Sequence, residues 1–150
     1  MTWSRQELED AFAAYQARAA EAGRSGDWAA WAEQFSPDAV YVERHYGRFE
    51  GRDAIRDWIT DTMSKFPGSA MPEFPVGWHV IDEERGWIVC QVFNRMVDPG
   101  DGSIHQMDNL TVLHYAGDGQ WAYEEDVYNP ADFEAMVRGW LDRRRELREA

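Results

Sequence analysis

The chain has 150 residues, of which 44% are hydrophobic and 29% are charged, with a formal net charge of -13 and one cysteine, Cys90. These values are typical of one soluble domain spanning residues 1–150, which folds without a disulfide or a structural metal. The acidic balance disfavours nucleic acid as a partner. The short apolar runs and the N-terminal residues favour neither a membrane association nor a secretion signal, so we expect a cytoplasmic protein.

Two helices are predicted at the start of the chain. A Ser-x-x-Glu capping box, followed by apolar residues at helical spacing, predicts a first helix over about residues 4–22. A second, short helix begins near Asp27, carries Trp28 and Trp31 on one face and ends at residues 36–38. Together they are expected to form a helical hairpin.

A strand and a third helix are predicted next. Residues 39–42 are β-branched or aromatic, which indicates a first strand, and residues 47–51 form a turn or a short returning strand. A third helix is predicted over about residues 52–66, where Pro67-Gly68 ends its apolar stripe.

The second half of the chain has strand periodicity. Short turn sequences separate four strand-like runs, which predicts an antiparallel meander over residues 76–82, 87–97, 104–115 and 121–128. Asn129 then caps a last helix that has Pro130 at its first position. Helices that precede an antiparallel sheet are typical of the α+β class.

Three local patterns are informative beyond the fold class: FSPDAVY at residues 35–41, GRDAIR at residues 51–56, and GQW leading to EDVYN within residues 119–129. Together with the order of elements they resemble the nuclear transport factor 2-like (cystatin-like) superfamily, and within it the SnoaL-like, polyketide cyclase-like branch. The resemblance implies a cone-shaped barrel. Its strongly curved, mixed and mostly antiparallel sheet would be closed by the three N-terminal helices, with a C-terminal helix added.

The resemblance also implies a cavity for a small molecule, a dimer through the convex face of the sheet, and no metal or organic cofactor. The superfamily includes isomerases, dehydratases, cyclases, epoxide hydrolases, ligand binders and transport adaptors. The resemblance therefore indicates the fold specifically but does not identify the reaction.

Asp126 is the first candidate for chemistry. If Gly117-Asp118 is the two-residue loop of the last hairpin, Thr111 lies opposite Glu124 and Asn109 lies opposite Asp126. Asp126 also matches an acid near the end of the last strand that is a general base in several enzymes of the superfamily. In an apolar cavity, with Asn109 to orient it, this carboxylate would suit acid/base catalysis near neutral pH. The alternative is that it faces water at an exposed edge.

Other residues are candidates for contact with a ligand. Tyr128 shares the face of Asp126 and is a candidate donor to a bound carbonyl group. The expected substrate-contacting residues are Tyr15, Trp28, Trp31, His45 and Glu124; for the three aromatic residues the alternative is plain core.

Arg95 matches an arginine of the epoxide-hydrolase relatives, but Val97 stands where they have an aspartate, so we expect a structural salt bridge at Arg95. The histidines lack the spacing typical of metal ligands, and no metal site is expected. Cys90 lies in an apolar strand and is expected to be buried and inert.

Apolar residues occur on both faces of the long strands, so both faces should be covered. We expect a homodimer, with the C-terminal helix as the alternative cover. In the register above, the face away from Asp126 contains Trp87, Val89, Phe93, Val112 and Trp121.

Two functions stay open from the sequence. One is a cofactor-independent lyase, isomerase or hydrolase that acts on a small, largely apolar molecule, with Asp126 as general base and Asn109 and Tyr128 assisting. The other is a non-catalytic domain that binds a small hydrophobic molecule or serves as a dimeric scaffold.

Overall fold

The computed structural model describes residues 2–150, which form four α-helices and a six-stranded mixed sheet in an α+β arrangement. The helices are α1 (Arg5–Ser25), α2 (Trp28–Ala32), α3 (Arg52–Met63) and α4 (Pro130–Glu149). The strands are β1 (Phe35–Glu43), β2 (Gly47–Glu50), β3 (Val76–Asp82), β4 (Trp87–Arg95), β5 (Gln106–Gly117) and β6 (Gln120–Val127). None of the helices in residues 2–150 is both long enough and apolar enough to cross a membrane.

The strands lie in the order β2-β1-β6-β5-β4-β3. The strands β3 to β6 form the predicted antiparallel meander, and β1 joins it by pairing in parallel with β6. Because β2 and β3 are the two edges of this order, the sheet is open, and its predicted closure into a barrel is not confirmed.

Local capping explains where the first two helices begin. The hydroxyl of Ser4 accepts a hydrogen bond from the backbone N–H of Glu7, and the Asp27 carboxylate accepts one from Ala30, both at 3.0 Å. The predicted end of the second helix at residues 36–38 was wrong. Phe35 already belongs to β1, because it pairs with Trp121 of β6. Its side chain is fully buried.

The last hairpin turns at a different place from the prediction. Asp118 and Gly119 have φ angles of 52° and 72°, so they form the two-residue loop, and Gly117 lies opposite Gln120. Two irregularities then shift the register on either side of Tyr115.

The position of the turn changes the cross-strand pairs that we predicted, because the two irregularities cancel beyond Tyr115. Thr111 lies opposite Asp126, and Leu113 lies opposite Glu124. The irregular pairing of Tyr115 with Trp121 places Trp121 on the opposite face of the sheet from the one predicted. Its indole is fully buried and contacts the rings of Tyr15 and Tyr115.

The first three helices pack on one face of the sheet, which we call the inner face. Side chains from the helices and from this face form the main hydrophobic core. Its least exposed large members are Leu8, Phe12, Phe35, Ile55, Ile88, Leu113 and Trp121.

Helix α4 lies across the end of the sheet. The indole N–H of Trp140 donates to the carbonyl of Val97 at 2.7 Å, and Met71 and Met96 pack against this tryptophan. The opposite face of the sheet, the outer face, stays open within the chain: Val80 is 57% exposed there. The alternative in which the C-terminal helix covers this face was therefore wrong.

Candidate functional site

A cavity of about 760 Å³ lies between the inner face of the sheet, the first three helices and α4. This volume is in the range of pockets that hold a small organic molecule. Helix α4 contributes Phe133, Val137 and Leu141 to its lining. Aromatic rings make up much of the remaining wall: Tyr15, Trp28, Trp31, Tyr41, Trp58 and Phe74.

Every candidate site residue from the sequence lies in the lining of this cavity. They are Tyr15, Trp28, Trp31, His45, Asn109, Glu124, Asp126 and Tyr128. The contacts among them differ from those expected.

Asp126 is held by two hydroxyl groups. Its Oδ1 accepts a hydrogen bond from the Thr111 hydroxyl at 2.7 Å, and its Oδ2 accepts one from the Tyr41 phenol. Asn109 does not contact it directly, because the shifted register places Thr111 opposite Asp126. The prediction that Asn109 orients Asp126 was wrong in this respect.

Asn109 acts instead through Thr111. The Asn94 Nδ2 donates to the Asn109 Oδ1 at 2.7 Å, and the Asn109 Nδ2 donates to the Thr111 Oγ1 at 2.8 Å. This order fixes the direction of the Thr111 hydroxyl hydrogen toward Asp126. Thr111 thus always presents a donor to the carboxylate.

Glu124 lies next to Asp126 on the same face of β6. It is 2% exposed and accepts a hydrogen bond from the Tyr15 phenol at 2.8 Å. Asp126 is more exposed than Glu124. A molecule in the cavity can therefore contact Asp126 more readily than it can contact Glu124.

Burial changes the protonation of this pair. Burial, followed by the negative charge of Asp126, raises the pKa of Glu124 well above its ordinary value. Burial also raises the pKa of Asp126, against the hydrogen bonds from Tyr41 and Thr111. Two carboxyl groups this close titrate as a coupled unit, and Glu124 is the one that keeps its proton to higher pH.

A third carboxyl group, Glu43, lies in the same lining and was missed by the sequence analysis. It is 6% exposed and accepts hydrogen bonds from the Tyr128 hydroxyl at 2.9 Å and from the backbone N–H of His45 at 2.6 Å. The parallel pairing of β1 with β6 brings Glu43 beside Asp126. The Tyr128 hydroxyl, which we expected to meet a bound carbonyl, donates to Glu43.

The sequence of β1 contains a pattern that indicates Tyr41 and Glu43 as site residues. Tyr41 and Glu43 are two residues apart, so they share one face of the strand. Their place in the site became visible only with the pairing partner of β1.

Two other predictions can be compared with the structure. Arg95 forms the predicted salt bridge, with Glu73 at 3.3 Å, and Cys90 is fully buried as predicted. Burial raises the pKa of the Cys90 thiol. In residues 2–150, no group of three or more His, Cys, Asp or Glu side chains is placed to hold a metal ion.

The histidines lie in different places. The ring of His79 packs on Phe12 and contacts Glu9, and the ring of His114 stacks between Trp87 and Tyr123 on the outer face. His45 is exposed where it lines the cavity, and His105 contacts Ser103.

Solved structures with a similar fold include a proposed SnoaL-like polyketide cyclase from Jannaschia sp. CCS1, at 13% identity and a TM-score of 0.67, covering 91% of this chain and 96% of its own. A proposed isomerase from Bacillus subtilis has 17% identity and a TM-score of 0.67, covering 89% and 94%. The epoxide hydrolase/cyclase-like enzyme SalBIII, which has a role in pyran ring formation in the polyether salinomycin, has 16% identity and a TM-score of 0.65, covering 86% and 95%. At these identities the likeness shows the fold alone.

Sequence comparison gives the family. Among curated proteins none matches this sequence. Residues 16–124, well over half of the chain, match the family model of the SnoaL-like domain. The matched segment begins within α1 and ends within β6 at Glu124. It includes the whole of α2, β1 and α3. The chain belongs to the SnoaL-like domain family.

Proposed function

We propose that the protein is a cofactor-independent acid/base enzyme, a lyase, isomerase or hydrolase, that acts on a small, largely apolar molecule in this cavity. One observation carries the proposal: Asp126 faces an aromatic-walled cavity of about 760 Å³ while hydrogen-bonded neighbours hold it in place. A fixed carboxylate with a raised pKa in an apolar site suits proton transfer near neutral pH.

The neighbouring groups divide the work in this proposal. Thr111 and Tyr41 orient Asp126, which accepts the proton from the substrate. Glu124, whose raised pKa lets it keep its proton to higher pH than Asp126, keeps a second negative charge away from the base. The cyclase and isomerase names of the structural neighbours agree with this type of chemistry.

A second candidate, a non-catalytic ligand-binding domain, is favoured by a different observation. The hydroxyls of Tyr15, Tyr41 and Tyr128 all donate to carboxyl groups. They are therefore not free to donate to a negatively charged oxygen that forms on the substrate, and many acid/base enzymes need such a donor.

Both candidates require that the cavity binds a small apolar molecule. We expect the wild-type protein to bind the uncharged fluorescent compound N-phenyl-1-naphthylamine at one site per chain. In Val137→Trp a bulky ring enters the cavity lining, and we expect affinity for the compound to fall about tenfold or more, the effect of losing about 1.4 kcal/mol. The measurement is a fluorescence titration.

Val97→Trp is the matched control, because Val97 is 44% exposed and lies outside the lining. It should bind the compound as the wild type does. Equal binding by both variants and the wild type would contradict a ligand site in this cavity.

We also propose that the protein is a homodimer through the outer face. Four apolar side chains on this face are largely exposed within the single chain: Trp78, Val80, Leu110 and Val127. An apolar patch on a sheet face is typical of a surface that pairs with a second copy.

We expect Val80→Asp to convert the dimer to a monomer at micromolar concentration, because it would place a charge in the apolar contact. Ile104→Asp is the control; Ile104 is 62% exposed in the loop before β5 and should leave the dimer intact. Light scattering gives the mass of each species. A monomeric wild type would refute the dimer.

A further inference from the structure

The buried part of the cavity wall contains acids and no bases. Glu43 and Glu124 are 6% and 2% exposed, and Asp126 lies beside them. Within residues 2–150, no lysine, arginine or histidine side chain forms an ion pair with any of these three carboxyl groups. The basic side chains of the lining are all exposed: His45, Lys65 and Arg138.

The hydroxyl groups around these acids do not leave free donors for a ligand. Each tyrosine hydroxyl that reaches a carboxyl group donates its one hydrogen to it. A carboxylate has about four acceptor positions, so these contacts leave acceptor positions open. The buried carboxyl groups of the wall therefore offer hydrogen-bond acceptors and negative charge. The ligand that fits them best has hydrogen-bond donors or a positive charge.

The rest of the wall suits the same partner. Trp28 and Trp31 lie edge to face with ring centres 5.4 Å apart, and the rings of Tyr41 and Trp58 are 5.0 Å apart. Aromatic faces attract ammonium groups through their quadrupole, and they also pack against apolar groups. The net charge of -13 adds a field that attracts cations to the protein.

From these observations we propose that the ligand of the cavity is an organic cation, a protonated or quaternary amine on an apolar body. A metal ion fits less well, because no carboxyl group in residues 2–150 belongs to a cluster placed to hold one. The inference rests on the proposed ligand cavity, and it adds the charge of the molecule that the cavity selects.

Two probes of the same shape test the charge alone. Phenyltrimethylammonium and tert-butylbenzene differ in having a positively charged nitrogen or a neutral carbon at the branched centre. We expect the wild type to bind the ammonium compound at least about tenfold more tightly, a preference in the range of a desolvated cation–aromatic contact. Tryptophan fluorescence titrations give both affinities.

Variants locate the source of the preference. Glu43→Gln keeps the shape of the side chain and removes its charge, so the ratio of the two affinities should fall severalfold. Asp118→Asn, in the surface loop of the last hairpin, removes one charge outside the cavity and should leave the ratio unchanged. Circular dichroism of each variant verifies that it is folded.

The outcomes separate this inference from the proposed function. Equal or tighter binding of tert-butylbenzene by the wild type would overturn the organic cation and leave the ligand cavity standing. An unchanged ratio in Glu43→Gln would also overturn it. Failure of both probes to bind would overturn the cation together with the ligand cavity.

Discussion

Asp126→Asn should lose the protein's ability to remove a proton from a bound molecule. A suitable probe is 5-nitrobenzisoxazole, a small apolar compound whose ring N–O bond opens when a base removes its ring C–H proton. We expect the rate to fall by roughly 10²–10⁴ relative to wild type, the usual contribution of a positioned general base. The reason is that an amide does not accept the proton, although it has the shape of the carboxylate.

The same variant should bind N-phenyl-1-naphthylamine with nearly unchanged affinity. A loss of rate without a loss of binding identifies a group that acts in the transition state. Asp118→Asn is the control and should keep the wild-type rate, because Asp118 lies in a surface loop. If Asp126→Asn opened the ring as fast as the wild type, Asp126 would not be the base.

Glu124→Gln should change how stability depends on pH. The folded protein keeps a proton on Glu124 at pH values where the unfolded chain, with a pKa of about 4.3, has released it. The free energy of unfolding of the wild type therefore falls as pH rises above about 4.3, until the raised pKa of the folded state is passed. A glutamine removes this part of the dependence.

The size of the effect follows from linkage. Near neutral pH, Glu124→Gln should be more stable than the wild type by about 1.4 kcal/mol for each pH unit, between about 4.3 and the pH of the measurement, over which folded Glu124 keeps its proton. A glutamine keeps the shape of the protonated acid, and its amide oxygen would accept from Tyr15 as Glu124 does.

Denaturant unfolding between pH 4 and pH 8 measures this difference. Exposed Glu84 is the control position, and Glu84→Gln should follow the wild-type curve. Parallel curves for wild type and Glu124→Gln would show that the Glu124 proton does not contribute.

Much of the order of elements was predictable because it depends on local signals. The strand Val76–Asp82 agrees with the prediction at both ends, and α4 begins at Pro130 after the predicted cap, Asn129. Turn residues and caps set these boundaries within a few residues of the chain, so neighbouring residues suffice to find them.

The register of the last hairpin was not predictable in the same way. The predicted two-residue turn lay one residue too early, and the structure also has irregularities on either side of Tyr115. They accompany the burial of Trp121 in the core, against Tyr15 of α1. A bulge that accommodates packing between distant segments leaves little signal in the strand itself.

The candidate site was predicted in part for the same reason. Asp126 and Glu124 were found because both lie on one strand, two residues apart. Glu43 and Tyr41 join them through the parallel pairing of β1 with β6, which connects residues about 85 positions apart. The aromatic residues of the helices line a cavity because α4 closes it, and that closure depends on the packing of Trp140.

The central claim is that the cavity contains a coupled carboxyl pair, in which Glu124 keeps its proton to higher pH and Asp126 is the base. Carbon-13 NMR titration of the side-chain carboxyl carbons of labelled wild-type protein tests it most directly. We expect both groups to titrate above their ordinary pKa values of about 4.3 and 3.9, with Glu124 keeping its proton to higher pH than Asp126. Complete ionisation of both groups below about pH 5, as for unperturbed carboxyl groups, would contradict it.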